Sequence, residues 1–452
     1  MSSPRIVDRR PARIAAAVLT AALLVVGLVP SPAAAATAAL GSTTFYGRGY
    51  GHGVGMSQYG ARGRALAGQL APEFLAHYYP GTTLGSRDPA TNVRVLVLNA
   101  FAATSAAPLT IVGTGGRWSI DGIIGTFPAG ARARLWPVAA GSTSWTLRVT
   151  SSTGSVLHQS TRSGAVTVRP AMGTFALPLG STANRTIKTR GSTTVTYLQL
   201  ASKGGTSNVY RGALRVQLST KATVVNHVAL DDYLRGVVPV EMPSSWPAEA
   251  LKVQAIAARS YAVNHLHPST GTFDVYDDTR SQVYRGRNAE KASTDLAVSS
   301  TAGSVLLSGS AVANAVFHSA DGGATENNEN VWTTAAGRPG TPVAYLRGSS
   351  DRAPDGSSYD AASPYATWKT ATYSAAALSA IFNLDSRTKV GTLTAINLSN
   401  RGVSGRLISV TLTGSLGTKT VSGDVFRSVF NTGKPSADPQ LRSTLFDVAP
   451  IP

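Results

Sequence analysis

One carboxyl group is a candidate acid because it lies in an otherwise apolar stretch. Glu241 is part of the segment VVPVEMPSSWP, among valine, proline, methionine and tryptophan. The N-terminus of a following helix would favour its carboxylate form by about 0.3 to 1 kcal/mol, whereas burial in an apolar pocket favours the neutral acid more strongly. We therefore expect a protonated carboxyl that can donate a proton at neutral pH. The alternative is a structural cap or ion pair.

Other titratable residues form weaker patterns. Asp231 and Asp232 could supply a second carboxylate, although nothing in the sequence fixes their distance from Glu241. His318 and Glu326 flank a Gly-Gly turn and could serve a metal-dependent amidase, yet scattered ligands without tight spacing are a weak metal signal. A hydrogen-bonded loop is the interpretation that we favour for this pair. We expect no metal and no cofactor.

A glycine-rich segment, GRGYGHGVGMSQYGA at residues 47–61, has glycine at every second position of its first half. Its spacing never meets G-x-G-x-x-G, so it does not indicate a nucleotide site. An extended segment would place the glycines on one face and Arg48, Tyr50 and His52 on the other. Glycine in a strand often marks close approach by a ligand or another backbone. We expect close contact with a sugar ring or with protein, and a flexible loop is the alternative.

The elements that must position these residues are of two kinds. The segment Pro247 to Leu266 predicts a helix, since a proline suits the first turn and alanine and leucine dominate thereafter. Its apolar residues are not confined to one stripe, which is typical of a buried helix. Gln254 and Arg259 would then need partners inside the protein.

Short strands dominate residues 93–225, where β-branched and aromatic runs alternate with Gly/Ser/Thr clusters. Strands return in the C-terminal part, and residues 334–367 predict a long surface loop. We predict an α+β fold, in which a mixed α/β catalytic core carries an inserted, mainly antiparallel β module. The predicted division is a signal peptide at 1–36, the glycine-rich segment at 37–90 packed with the C-terminal core, the β module at 91–225 and the core domain at 226–452.

The N-terminus resembles a secretory signal peptide. A basic head precedes an apolar run from Ile14 to Val29 and a small-residue stretch with Ala-x-Ala options. A retained N-terminal anchor is the alternative. We predict secretion to the cell wall or the extracellular face of the envelope, with no membrane span after signal cleavage.

Composition narrows the chemistry and the partners. The chain has no cysteine, which excludes thiol nucleophiles and disulfides. Its formal charge of +18 predicts an anionic counterpart, which outside the cell means anionic wall polymers or acidic glycans. We expect no nucleic-acid partner, because the cations are scattered and no Lys/Arg block interleaves with aromatics.

Several stretches together resemble motifs of the SpoIID/LytB family of exported cell-wall proteins. The resembling motifs are LDDYLRGVVPVEMPSSWPAEALKVQAIAARSYA, SQVYRG, FHSADGGATENNENVW, GRGYGHGVGMSQYGA and HYYPGTTL. The resemblance implies a lytic transglycosylase that cleaves the glycan backbone of peptidoglycan in peptide-free strands. The glutamate of the E-M-P element is its catalytic acid, which here is Glu241. LytB-type members imply the alternative, a non-catalytic wall-binding protein that enhances an N-acetylmuramoyl-L-alanine amidase.

Two features depart from the family pattern. The G-H-G-V-G-M-S-Q element usually follows LRSTLF near the C-terminus, whereas here it precedes the β region, so we expect residues 43–85 to pack beside the C-terminal strands. Ala320-Asp321 stands where the family commonly has serine or threonine before Gly-Gly. The candidate substrate contacts are Tyr50, His52, Ser57, Gln58, Gln282, Tyr284, His318 and Ser319.

Overall fold

The computed structural model describes residues 40–171, 196–267 and 269–451, so the predicted signal peptide lies outside the described residues. The helices within these ranges are α1 (Gln58–Leu66), α2 (Ala71–Tyr78), α3 (Leu230–Glu241), α4 (Ala248–Asn264), α5 (Ala292–Ser300), α6 (Asn328–Val331), α7 (Ala375–Phe382) and α8 (Gly423–Gly433), with a short 3₁₀ turn at Gly286–Ala289. The strands are β1 (Tyr46–Gly47), β2 (Met56–Ser57), β3 (Thr83–Ser86), β4 (Asn92–Phe101), β5 (Leu109–Thr114), β6 (Trp118–Ile120), β7 (Arg132–Pro137), β8 (Trp145–Thr150), β9 (Val156–Arg162), β10 (Ala165–Pro170), β11 (Tyr197–Leu200), β12 (Val209–Tyr210), β13 (Ala213–Leu218), β14 (Ala222–Ala229), β15 (Val275–Tyr276), β16 (Ser304–Ser308), β17 (Ala311–Val312), β18 (Phe317–His318), β19 (Trp368–Lys369), β20 (Leu393–Asn397), β21 (Ser409–Gly414), β22 (Gly417–Ser422) and β23 (Phe446–Asp447). Mixed helices and sheets confirm the predicted α+β class.

Two six-stranded sheets form the β-rich region. Their strand orders are β15-β4-β14-β13-β10-β6 and β12-β11-β5-β7-β8-β9. The pairing is antiparallel throughout except between β15 and β4, which confirms the predicted antiparallel character. Side chains from both sheets, including the fully buried Trp118 and Trp145, share one apolar cluster with Tyr233 of α3 and Ala258 of α4. The predicted boundary at 225 falls within β14, which leads directly into α3. The division into domains stays a prediction.

Helix α4 is largely buried and contacts several other elements. It confirms the helix predicted from Pro247 to Leu266, and α1, α2, α3 and α5 all pack against it. Gln254 and Arg259 are fully buried within it, as expected. Arg259 donates to Asp231 Oδ1 at 2.8 Å and to two backbone carbonyls. The buried charge of Arg259 is thus compensated by Asp231 and by backbone carbonyls.

The glycine-rich segment lies among C-terminal elements. β1 is the central strand between β19 and β23, and β2 runs parallel to β18, pairing Ser57 with His318. Phe45, just before β1, packs edge-on against Phe426, Phe430 and Phe446. These contacts anchor the segment at both ends.

Residues 334–367 differ from the predicted surface loop. They contain neither a helix nor a strand, but two of their carboxylates, Asp351 and Asp360, are almost fully buried. Asp351 accepts hydrogen bonds from Arg64 of α1 and Tyr78 of α2. The segment is therefore packed into the protein through polar contacts, which hydrophobic patterning does not reveal. Within the described ranges, no helix is both long and apolar enough to cross a membrane.

Candidate functional site

Glu241 is the last residue of α3. The helix ends there because Met242, in an extended conformation, is followed by Pro243, and a residue before proline disfavours the helical region. The loop Met242–Pro247 then leads into α4. The side chain of Glu241 is only partly exposed, whereas Met242 beside it is buried.

Two hydrogen-bond donors hold the carboxyl of Glu241. The backbone N–H of Val283 donates to Oε1 at 2.9 Å, and Nε2 of Gln58 lies 3.5 Å from Oε2. Burial raises the pKa of Glu241 above its ordinary value, and these two donors offset only part of that effect. Burial thus prevails, as the apolar neighbours predicted. In the described part of the chain, Glu241 forms no ion pair.

A glutamine pair lies beneath this carboxyl. Gln58, the first residue of α1, also donates to Oε1 of Gln254 at 3.3 Å. Gln254 is fully buried in α4, and its Nε2 has no acceptor among the described residues. Gln254 was expected only to need an internal partner. Its link to Glu241 through Gln58 was missed, because sequence spacing does not show which turn of α4 faces α1.

The loop SQVYRG positions the backbone amide of Val283. The buried side chains on either side of Val283 hold this loop in place. Gln282 accepts from the Tyr233 hydroxyl at 3.1 Å and donates to the Ala258 carbonyl at 3.3 Å. The Tyr284 hydroxyl donates to Asn226 at 2.9 Å. Gln282 and Tyr284 are each only 1 % exposed. In this structure the two side chains therefore hold the loop in place, and their predicted contact with substrate stays a prediction.

Two further predicted contacts are also buried. Ser57 is fully buried, and its hydroxyl caps α1 by accepting from the N–H of Gly60 at 3.1 Å. His318 is 5 % exposed, and its Nδ1 lies 3.2 Å from the carbonyl of Val54. Direct contact with a ligand needs an accessible atom, so neither side chain provides one here. Ser319 remains partly exposed.

His52 lies at a second location. Its Nδ1 accepts from the N–H of Val54 at 3.1 Å, so its Nε2 carries the proton that it donates to the carbonyl of Phe317 at 3.0 Å. Burial lowers the pKa of His52 to about 4, which leaves the ring neutral. It lines a small surface pocket together with Asp424 and Arg427. No contact joins His52 to Glu241 within the described structure.

Tyr50 is the most accessible of the predicted contacts. Its side chain is 37 % exposed, and its ring packs edge-on against Tyr365 at 4.7 Å. Arg442 lies over both rings. Of the eight predicted contact residues, the structure brings only Gln58 into direct hydrogen-bond reach of the Glu241 side chain. The predicted contact residues therefore do not all surround the Glu241 side chain.

The bare face of the glycine segment contacts protein. Gly49, Gly51, Gly53 and Gly55 all have positive φ, so the segment is not continuously extended. A Cβ at Gly53 would overlap the guanidinium of Arg406. The equivalent atom at Gly55 would overlap the Val316 carbonyl. Of the two partners left open by the sequence, protein is the one that the structure places against these glycines.

Glu326 is used structurally. Its carboxylate is fully buried and accepts from the N–H groups of Asn327, Val403 and Ser404, and from the Ser404 hydroxyl. This matches the hydrogen-bonded loop favoured for the pair with His318. Across the described ranges, no three His, Cys, Asp or Glu side chains are grouped to hold a metal ion.

Asp231 and Asp232 do not provide a second carboxylate at Glu241. They occupy the first turn of α3, whereas Glu241 ends it. At about 1.5 Å per residue, ten residues of helix separate the ends by about 15 Å. Asp231 is bound to Arg259, and Asp232 lies near Arg211 and Arg235. The Glu241 carboxyl therefore has no neighbouring carboxyl from the first turn of α3.

Asp321, at the position that departs from the family pattern, is fully buried. Its Oδ1 accepts from the N–H of Gly323 at 2.9 Å, and burial together with the nearby charge of Asp351 raises its pKa well above the usual range. The substituted residue thus points into the protein and takes part in a buried carboxyl pair.

Comparison with known proteins places the match on the block that carries Glu241. The SpoIID family model, described as Stage II sporulation protein, matches residues 218–307. The Amidase enhancer of Bacillus subtilis is 42% identical over 102 residues, which is 23% of this chain and 14% of the relative. Stage II sporulation protein D of the same organism is 35% identical over 128 residues, 25% of this chain and 37% of the relative.

An uncharacterized protein of Brachyspira hyodysenteriae is 37% identical over 142 residues, 31% of this chain and 37% of its own length. The chain therefore spans well under half the length of each of these curated relatives. The matched family segment includes Glu241, Gln254 and Val283, but not the glycine-rich segment.

Proposed function

We propose that this chain is a peptidoglycan lytic transglycosylase. The family match and the curated relatives support a SpoIID/LytB family protein. They also support a function related to the cell wall. Its substrate is the glycan backbone of peptide-free strands, and Glu241 is both its general acid and its general base. The observation that carries the proposal is that the carboxyl of Glu241 is partly exposed, that burial raises its pKa, and that no cation among the described residues pairs with it.

The two oxygens of Glu241 have different surroundings. Oε1 accepts a short bond from Val283, whereas Oε2 has only a long contact with Gln58. A proton is disfavoured on an oxygen that already accepts a strong bond. Oε2 therefore holds the acidic proton, and the Val283 amide stabilises the carboxylate once that proton has left.

One carboxyl is sufficient for the proposed reaction. Glu241 protonates the glycosidic oxygen as the bond from C1 of N-acetylmuramic acid to N-acetylglucosamine breaks. The carboxylate then takes the proton from the C6 hydroxyl of the same muramic acid, whose oxygen closes a 1,6-anhydro ring on C1. Glu241 ends protonated and no water is consumed. An intramolecular hydroxyl replaces the water for which inverting hydrolases use a second carboxylate.

The second candidate is a non-catalytic protein that binds the wall and enhances an N-acetylmuramoyl-L-alanine amidase. The relative named Amidase enhancer favours it, because its 42% identity is the highest among the relatives described above. The formal charge of +18 suits attachment to anionic wall polymers in either case. Both candidates imply a protein exported to the cell wall.

Digestion of peptide-free glycan strands by the purified protein separates the candidates. Mass spectrometry of the fragments should show 1,6-anhydro ends, with no gain of water. Fragments heavier by one water would indicate a hydrolase instead. Intact strands, together with faster turnover by an added wall amidase, would establish the enhancer and reject the transglycosylase.

A further inference from the structure

An aromatic and cationic surface cluster lies at the edge of the Glu241 site. The rings of Tyr59 and Trp246 meet edge to face with centroids 4.8 Å apart. The guanidinium carbon of Arg62 lies 5.7 Å from the Trp246 ring centroid. Tyr59 and Arg62 are three residues apart on α1 and therefore share a face of the helix. All three side chains are partly exposed.

The Arg62 guanidinium has no hydrogen-bond acceptor in the part of the chain that the structure describes, and its ring contact with Trp246 is its one assigned interaction there. Arg64, two residues later, provides the contrast: it is buried and donates twice to Asp351, at 2.9 and 2.7 Å. Arg64 therefore has a structural role, whereas the guanidinium N–H groups of Arg62 are available to a ligand.

The cluster has one part on α1 and one part in the loop after Glu241, and each part lies close in the chain to a residue of the Glu241 site. Tyr59 follows Gln58, the residue whose amide approaches Oε2 of Glu241. Trp246 belongs to the short loop that leaves Glu241 for α4. The causes of the Glu241 pKa are burial, Val283 and Gln58, without any contribution from a cation. Arg62 is thus linked to the Glu241 site through Trp246 and through its own helix α1, and it does not hold the acid in its ionised form.

These groups suit an anionic sugar. The aromatic faces can pack against a sugar ring, and a guanidinium fork binds a carboxylate through two parallel hydrogen bonds. A muramic acid without its peptide carries a free lactyl carboxylate. Attachment of a peptide converts this group into an amide, which removes the charge.

We propose that Tyr59, Arg62 and Trp246 form a subsite that recognises the free lactyl carboxylate of peptide-free muramic acid. The inference rests on the proposed function and deepens it by assigning the preference for stripped strands to Arg62. Arg62 is then a specificity-determining residue, and it takes no part in the proton transfers.

The test measures binding in the Glu241→Gln background, so that turnover does not consume the probe. Two probes are compared at low ionic strength, where charge contributions are least screened: peptide-free glycan strands, and the same strands with their lactyl carboxylates converted into primary amides. Arg62→Gln should weaken binding of the carboxylated strand by roughly tenfold to a hundredfold, the range of a charge-assisted hydrogen bond. Binding of the amidated strand should not change.

Arg148→Gln is the matched control, because Arg148 also lies over a tryptophan ring, that of Trp136, but in the β-rich region. It should change neither affinity. Arg62→Lys keeps the charge without the fork and should fall between wild type and Arg62→Gln. This second variant gives the readout if Arg62→Gln does not fold, which thermal unfolding reports.

An equal loss for both strands, or no loss for either, would overturn the subsite. Equal dependence on Arg62 for binding poly(glycerol phosphate) would overturn its assignment to a sugar carboxylate. Turnover by the wild-type protein tests the proposed function separately. Charge-selective binding without anhydro products would leave the subsite standing and reject the transglycosylase.

Discussion

The Val283 amide and the Glu241 carboxyl are joined by a 2.9 Å hydrogen bond across two separate motifs. The bond holds one oxygen in place without supplying a positive charge. A cation at the same position would lower the pKa of the carboxyl and hold it ionised. The site instead orients an acid whose pKa burial has raised, which is the combination that proton donation at neutral pH requires.

Replacement of Glu241 by glutamine should abolish turnover while the strand still binds. Glu241→Gln keeps the shape and an oxygen that can accept from Val283, but it has no proton to donate. General acid catalysis contributes about 10² to 10⁴ in rate, so we expect at least a hundredfold loss in the initial rate of anhydro-end formation. Glu249→Gln, at the start of α4, is the control and should leave that rate unchanged. A Glu241→Gln variant with most of the wild-type rate would remove the catalytic assignment.

The pH profile should respond to Gln58. Because the Gln58 amide lowers the pKa of Glu241, Gln58→Leu should raise that pKa further. The acid form is the active one and is lost as pH rises, so the alkaline limb of kcat/KM should move to higher pH. Gln69→Leu, which removes contacts with Arg64 and Tyr359 only, should not move it. A limb that moves to lower pH would contradict this account.

Regular periodicity was the part of the fold that the sequence could predict. The β strands have it and were found where expected, whereas α4 was predicted from its initial proline and its alanine and leucine content and was also found where expected. Helix α3 was missed because Gly236 and Pro239 interrupt its pattern, although a proline in a last turn is compatible with a helix that stops there. The site residues contributed by α3 could therefore be named but not oriented.

The remaining differences come from conformations and partners that residue types do not specify. The alternating glycines would share one face of an extended segment, but four of them have positive φ, and the resulting path is irregular. Ser57, Gln282, Tyr284 and His318 looked like substrate contacts because they are polar residues within motifs. Each instead has a backbone or side-chain partner inside the protein.

Two glycines with the same backbone conformation should differ sharply in their tolerance of alanine. Gly53 and Gly68 both have φ of +83°, but a Cβ at Gly53 would overlap the buried Arg406, whereas Gly68 faces open space. Gly68→Ala should cost about 1 kcal/mol, the penalty of the left-handed conformation alone. Gly53→Ala should cost roughly 3 kcal/mol or more, because the clash adds to that penalty. Urea unfolding measures both, and equal losses would show that Arg406 does not confine this segment.

The buried carboxyl pair should make stability depend on pH through Asp321. Burial and the nearby charge of Asp351 raise the pKa of Asp321, which favours a proton on Asp321 in the folded state. Asp351 itself accepts from Arg64 and Tyr78. The unfolded chain loses that proton near the ordinary pKa of about 3.9. The folded state therefore binds more protons above this pH, and the stabilisation is lost as pH rises toward the folded pKa, by at most about 1.4 kcal/mol per pH unit.

Asp321→Asn isolates this contribution, because an amide keeps a donor toward Asp351 and an acceptor for the N–H of Gly323 but does not titrate. The free energy of unfolding, measured in urea from about pH 5 to about pH 8, should fall less steeply in the variant than in the wild type. Asp424→Asn, at an exposed carboxylate paired with Arg427, is the control and should leave the wild-type slope unchanged. Parallel curves for Asp321→Asn and wild type would mean that Asp321 is ionised in the fold. Arg406, which already donates to the Asp321 carbonyl, would then be the cation available to compensate that charge.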